Sequence, residues 1–348
     1  MNEKSMVRAY APDAVALKDW LRKSRGTART DLLKVKLSSA PLEWKPQYIK
    51  RVVAGNVVEF VELRHKPVEF DCIKVDKDHY IKPSEGSGEL HEYNHTTNRG
   101  ELASLGGVRK TIEKIRRIIN ANCIDSDCLH WVTLTYADNM TDRGRLYTDF
   151  RDFWKRFKRY ASREGLGVPE YIAVCEPQAR GAWHLHCLFI WDRYRPFISN
   201  DILRSIWKQG FVNIKGVPEY CDNIGAYFSA YLADMPADEY LTDSLDVRYD
   251  VTTKTYKDAD GKTVTKRIVK GGRLHMYPSG FNIFRCSRGV RRPDVVVLDD
   301  AEQAEKEKAS AGTETFSSCL ALVSGGDSPE TKQIICKSYY NSKRAESQ

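Results

Sequence analysis

Between residues 108 and 234 the apolar positions change period several times, and each change marks an element. Over 108–119, Ile112, Ile115 and Ile119 fall on one helical face, with lysines and arginines around the rest. Residues 131–136, Trp-Val-Thr-Leu-Thr-Tyr, are β-branched and aromatic and predict a strand. Over 145–161, Leu146, Phe150, Phe153, Trp154, Phe157 and Tyr160 return at helical spacing. Strands are predicted at 171–176 and 183–191, on either side of a turn composition, Pro-Gln-Ala-Arg-Gly-Ala. A helix over 200–208, a strand over 211–217 and a helix over 223–234, ended by Pro236, complete the run. The order is strand, helix, strand, strand, helix, strand, helix. It suits an α+β layer, an antiparallel sheet with helices on one face and the other face open to a ligand.

Outside this stretch the pattern is weaker. Residues 1–104 alternate short apolar runs, such as 52–61, with charge, and predict no function; 82–99 has the composition of a loop. Residues 247–270 predict a β-hairpin turning at 258–261. Past 299 the chain is rich in Glu, Lys, Ala, Ser and Gly, which predicts a short helix and then mostly disorder. The expected division is therefore 1–104, a central domain at 105–293, and a largely disordered tail at 294–348.

Composition narrows the partner. With 41% hydrophobic and 29% charged residues in 348, a normal core is within reach. The net charge of +8 favours a polyanion, most often nucleic acid. No apolar run approaches the roughly 20 residues that span a bilayer, and the N-terminal segment lacks an apolar signal core. The nine cysteines form no CxxC pair and are expected to be thiols in a cytoplasmic protein without disulfides.

Two groups of residues can carry chemistry. His184 and His186 alternate along a predicted strand, so both imidazoles share one face, about 7 Å apart at the backbone. Glu176 ends the preceding strand, and a hairpin would bring its carboxylate beside them. Two imidazoles and a carboxylate suit a divalent ion that keeps positions open for substrate oxygens. Tyr227 and Tyr231 are four apart and share one helical face. Taken alone they read as core tyrosines; beside a metal, either phenol could attack a phosphodiester and become a phosphotyrosine. Lys155 and Arg159 on the long helix, and Arg285, Arg288, Arg291 and Arg292 near the end of the central domain, are candidate phosphate contacts; surface solvation explains them equally well.

At these residues the chain resembles the HUH endonucleases, and among them the initiators of rolling-circle plasmids, small bacterial mobile elements and phages. The pieces that match, in the family's order, are Trp131–Tyr136, Trp183-His-Leu-His-Cys-Leu-Phe189 and Gly225-Ala-Tyr-Phe-Ser-Ala-Tyr-Leu232. The resemblance implies a ferredoxin-like or RRM-like sheet and a Mg²⁺ or Mn²⁺ cofactor on His184, His186 and Glu176. It also implies nicking and joining of single-stranded or hairpin origin DNA through Tyr227 or Tyr231. A conjugative relaxase or a transposase would share this chemistry, and a non-catalytic DNA-binding regulator could share the fold. Many relatives carry a lysine three residues after the catalytic tyrosine; here those positions are Ala230 and Asp234. Lys262-Thr263 follows Gly261, but Tyr256 stands where a phosphate loop needs glycine, so no helicase motor is recognisable. Unwinding and synthesis would then fall to a host helicase and polymerase.

Overall fold

The computed structural model describes residues 33–344 apart from 42–43, 68–72, 77–78, 82–87, 93–104, 179, 219–220, 237–250, 258–262, 279 and 325–329. The predicted loop at 82–99 therefore lies mostly, and the predicted turn at 258–261 wholly, outside the described residues. The chain divides into two units, one made of residues 1–93 with 293–348, the other of 94–292.

In the first unit, strands from both ends of the chain share one sheet. They are β1 (Leu33–Leu37), β2 (Tyr48–Ala54), β3 (Val57–Leu63), β15 (Asp294–Leu298), β16 (Thr313–Val323) and β17 (Thr331–Asn341), in the antiparallel order β1-β16-β17-β3-β2-β15. Helix α5 (Ala301–Ser310) contributes Ala304 to a small core with Ile49, Phe60 and Leu298. Short strands β4 (Ile73–Lys74), β5 (His79–Ile81) and β6 (Leu90–Glu92) make a separate three-stranded sheet.

Two expectations are corrected here. The segment 294–348 is largely folded, because β16 and β17 bury Ala321, Val323, Ile334 and Cys336 on one another. Its polar composition reflects strands with one wet face, which a compositional reading takes for disorder. The cysteines are also not all thiols. Cys319 and Cys336 are register partners on β16 and β17, 4.2 Å apart at Cα, and form a disulfide.

The second unit contains α1 (Leu105–Asn122), β7 (Leu129–Leu134), α2 (Arg143–Arg163), β8 (Glu170–Pro177), β9 (Trp183–Ile190), α3 (Asn200–Trp207), β10 (Val212–Lys215) and α4 (Ile224–Ala233). Strand β14 (Phe284–Cys286) completes its five-stranded antiparallel sheet, ordered β10-β7-β9-β8-β14. Strands β11 (Met235–Pro236), β12 (Val251–Lys257) and β13 (Thr263–Val269) form a small sheet that includes the expected hairpin. No described helix is long and apolar enough to cross a membrane.

The crossover helices share a face, as their order predicts. Asp142 caps α2 by accepting from the Gly144 and Arg145 amides, and the helix buries Leu146, Phe150, Phe153 and Phe157. Phe153 and Phe157 lie 6.4 and 5.0 Å from Phe189 of β9, ring to ring, and Phe153 lies 5.7 Å from Trp207 of α3.

The opposite face is not left open, and this corrects the expected layer of helices on one side. Helix α4 lies across it, with Phe228 4.7 Å from Trp131, ring to ring. The strands anticipate this, because β9 is buried without a break from Leu185 to Phe189. A strand with one wet face would alternate instead.

Helix α4 is held by α1 at close range. Asn223 caps α4 by accepting from the Ala226 amide, and its Oδ1 also accepts from Asn120 Nδ2 at 3.0 Å. Asn120 Oδ1 accepts from the Gly225 amide at 2.8 Å. Glycine is required at 225: a Cβ there would sit 2.3 Å from the Arg116 carbonyl oxygen and 2.7 Å from Asn120 Oδ1. Gly225→Ala should therefore lower the unfolding free energy by about 1–3 kcal/mol, through overpacking. Gly106→Ala on α1, whose added methyl meets nothing within 4 Å, should be neutral or stabilising. Denaturant midpoints of the two variants check this, and equal midpoints would contradict the close approach.

Candidate functional site

The sheet register brings the predicted groups to one face. Glu176 stands opposite His184, and His186 stands opposite Val174 on one side and Thr133 on the other. Trp131 is opposite Leu188 and, across the other edge of β7, opposite Lys215. Alternate residues of a strand point the same way. Glu176, His184, His186, Thr133, Trp131 and Lys215 therefore all lie on the face covered by α4.

The centre of the site is buried. Glu176 is 2% exposed and His186 1%. His186 Nε2 lies 2.6 Å from Glu176 Oε2. On the other side of the ring, Nδ1 accepts from Trp131 Nε1 at 3.3 Å, with Thr133 Oγ1 at 3.2 Å. An indole N–H can only donate, so Nδ1 is the bare nitrogen and Nε2 carries the proton shared with Glu176. Arg273, itself 8% exposed, places Nε 3.1 Å from Glu176 Oε1. Burial pushes the Glu176 carboxyl up. The hydrogen bond and charge of His186, then the Arg273 guanidinium, outweigh it and hold the carboxyl below its ordinary value. His184 sits at the half-buried rim. Burial lowers its pKa to about 4 against the pull of Glu176, and the charges of His186, Arg180 and Arg273 add to the lowering. It is therefore neutral near pH 7, the form that binds a metal.

Both tyrosines reach this face. Their rings stand one helical turn apart on α4 and are 43% and 47% exposed for Tyr227 and Tyr231. Tyr231 lies 5.1 Å from His186 and 5.1 Å from Trp131, ring to ring; Tyr227 lies 5.7 Å from Trp131. The remaining predicted contacts are elsewhere. Lys155 and Arg159 are on α2, across the sheet, and Lys155 Nζ lies 3.5 Å from Asp152. Arg285 faces α2 as well, its guanidinium 3.8 Å from the centre of the Tyr147 ring. Arg288, Arg291 and Arg292 lie beyond β14, at the surface.

The donor set of two imidazoles and one carboxylate suits a divalent cation. Among the described residues, however, no group of three His, Cys, Asp or Glu side chains converges as a finished metal cage. Two of the three candidate ligands are hydrogen-bonded to each other, so an ion would displace the proton between His186 and Glu176.

Residues 129–236 match the model of a family described as replication-associated protein ORF2. This supports a role in replication initiation. The matched span contains Glu176, both histidines and both tyrosines. No curated protein and no solved structure matches the chain.

Arg273 and Lys215 were not singled out from sequence. Arg273 stood among five arginines in an aromatic segment, with nothing to separate it from the exposed ones. Its guanidinium also donates from Nη1 to the Asp234 and Tyr231 carbonyl oxygens, and its own amide donates to the Ala233 carbonyl at 3.0 Å. It thus ties the C-terminal end of α4 to Glu176. Arg273→Met should lower the unfolding free energy by about 3–5 kcal/mol, since it leaves a buried carboxylate without its cation. Chemical denaturation measures this; stability equal to that of the parent would show that Glu176 does not depend on Arg273.

Proposed function

We propose that the chain nicks and rejoins single-stranded DNA as a rolling-circle replication initiator of the HUH type. The observation that carries this is the placement of two half-exposed tyrosines, one helical turn apart, over a buried His-Glu pair, inside the span similar to replication-associated proteins. The β-α-β-β-α-β order of β7 to β10, with every neighbouring pair antiparallel, is that of a ferredoxin-like sheet. Such a sheet is the fold expected of this chemistry.

Single-stranded origin DNA would lie along the tyrosine side of α4, with its scissile phosphate near His184 and Glu176. A Mg²⁺ or Mn²⁺ ion held by His184, His186 and Glu176 would neutralise the phosphate and stabilise charge on its oxygens. One tyrosine hydroxyl attacks phosphorus in line. The bond from phosphorus to the 3′-oxygen breaks, and the phenol proton passes in net to that oxygen. The products are a 5′-phosphotyrosine and a free 3′-hydroxyl that can prime synthesis. One phosphodiester replaces another, so rejoining needs no ATP. The second tyrosine can accept the next strand in the same site. Host helicase and polymerase would supply unwinding and extension.

Two tests follow. Labelled single-stranded oligonucleotides tiled across the DNA that flanks the gene should be cleaved with Mn²⁺ or Mg²⁺ and left intact with chelator. His184→Ala and His186→Ala should lose cleavage while keeping most DNA affinity, which comes mainly from phosphate contacts with basic residues. Full cleavage by either variant would remove it from the site. Secondly, Tyr227→Phe and Tyr231→Phe should each keep part of the cleavage or joining, and the double variant should form no covalent adduct, because Phe keeps the ring packing and removes only the nucleophile. An adduct persisting in the double variant would move the chemistry to another residue, such as Tyr220 or Tyr240, which lie outside the described residues.

A further inference from the structure

Lys215 ends β10 on the same face as the tyrosines, and its surroundings are unusual for a lysine. Its Nζ lies 4.0 Å from the centre of the Trp131 ring and 4.8 Å from that of Tyr231. Trp131 beneath it is fully buried. Burial lowers the pKa of the ammonium from its ordinary value. Among the described residues no carboxylate is ion-paired with it. The charge is thus partly desolvated and is balanced only by two ring faces, each a weak partner for a cation. A half-buried cation in this condition is completed by an anion.

We infer that Lys215 and Tyr231 form the reacting pair of the site: Lys215 grips the scissile phosphodiester, and Tyr231 is the phenol that attacks it first. This rests on the nicking function proposed above and names two residues within it. Tyr231 is the tyrosine whose ring contacts all three of His186, Trp131 and the Lys215 ammonium. A phosphate bound between Lys215 and the His-Glu pair is therefore carried against the Tyr231 side of α4. The ammonium opposes the negative charge that gathers on the non-bridging oxygens as the Tyr231 oxygen bonds to phosphorus and the 3′-oxygen leaves. Lys215 comes from β10 and not from α4, so no spacing around the tyrosines could reveal it.

The test uses full-length protein and an oligonucleotide that the parent cleaves in the assay above. Lys215→Met keeps the apolar stem on Trp131 and removes the charge. It should slow single-turnover adduct formation about 100-fold, the usual effect of losing one oriented partner of developing charge. Lys215→Arg should recover most of that loss. A methylphosphonate at the cleaved position removes the phosphate charge; its penalty should be smaller in Lys215→Met than in the parent by about tenfold, since the two changes remove one interaction. A role in packing alone would leave that penalty unchanged. Peptide sequencing by mass spectrometry should find the first adduct on Tyr231. Adduct formation by Lys215→Met at the parent rate, equal methylphosphonate penalties, or a first adduct on Tyr227 would each overturn the inference while leaving the nicking function intact. Should Lys215→Met fail to fold, the penalty is compared in Lys215→Arg and Lys215→Gln. Absence of any adduct from the parent protein overturns both readings.

Discussion

The carboxylate of Glu176 is the constraint on which the second unit turns. A charge 2% exposed to solvent is unfavourable by several kcal/mol unless partners surround it. Here they come from three places in the chain: His186 from the neighbouring strand, Arg273 from beyond the small sheet, and His184 opposite in register. Each partner is fixed in turn. Trp131 and Thr133 of β7 hold the far nitrogen of His186, and Arg273 is anchored on the last turn of α4. Satisfying one buried charge therefore sets the registers of β7, β8 and β9 and the position of the tyrosine helix together. The same network fixes the His186 proton on the nitrogen that faces Glu176, so the ion-binding and hydrogen-bonded states of this pair exclude each other.

What the sequence revealed follows from which interactions are periodic. The order of elements from β7 to α4 could be read because their apolar residues repeat at two or at three to four positions. His184 with His186, and Tyr227 with Tyr231, could be paired because those same periods put them on shared faces. Arg273, Lys215 and the sheet of the first unit could not. Each depends on pairing between distant segments, as where Val57 of β3 meets Asn341 of β17. The register of such a pair is decided in three dimensions and leaves no local trace. The folded tail was missed for a related reason: Ser317, Ser318, Lys332 and Lys337 give β16 and β17 a polar composition although these strands also carry buried positions. The open sheet face was the opposite error. An unbroken run of buried residues in β9 implies cover on both sides, and its apolar signature stood in the sequence at residues 185–189.

The site divides by exposure into a fixed floor and an accessible rim. Trp131 is fully buried and meets His186, Tyr227, Phe228 and Tyr231 at ring distances of 6.1, 5.7, 4.7 and 5.1 Å. It is the floor, and its indole hydrogen bond to His186 makes the floor continuous with the buried charge. The tyrosines, exposed by nearly half, form the rim. A phenol that must bond to DNA and later release it needs solvent access, yet strand transfer is sensitive to small displacements of the reacting groups. Packing only one edge of each ring on a rigid indole meets both demands. Gly225 contributes from the other side of α4, since the close approach to α1 that it permits prevents the helix from lifting away from the floor.

The charges around this floor also bear on what it accepts. With both carboxylate oxygens of Glu176 engaged by His186 and Arg273, the negative charge at the centre is already matched. His184 is neutral near pH 7 because its pKa is about 4. Lys215 then stands as surplus positive charge on the tyrosine face, with Arg180 acting on His184 from the rim. A divalent ion on His184, His186 and Glu176 would raise that surplus further. The field so produced favours an anion and opposes cations, and it is confined to one side of the sheet. Lys155, Arg159 and Arg285, on the other side, could not share the same phosphate. They can only extend the electrostatic footprint along a strand that wraps the edge of β14, where Arg288, Arg291 and Arg292 lie at the surface. Affinity and chemistry are thus separated by the thickness of the sheet: basic residues spread over the α2 face and the β14 edge would hold the DNA, while the charge that acts on its scissile phosphate is concentrated at Lys215 and the buried pair.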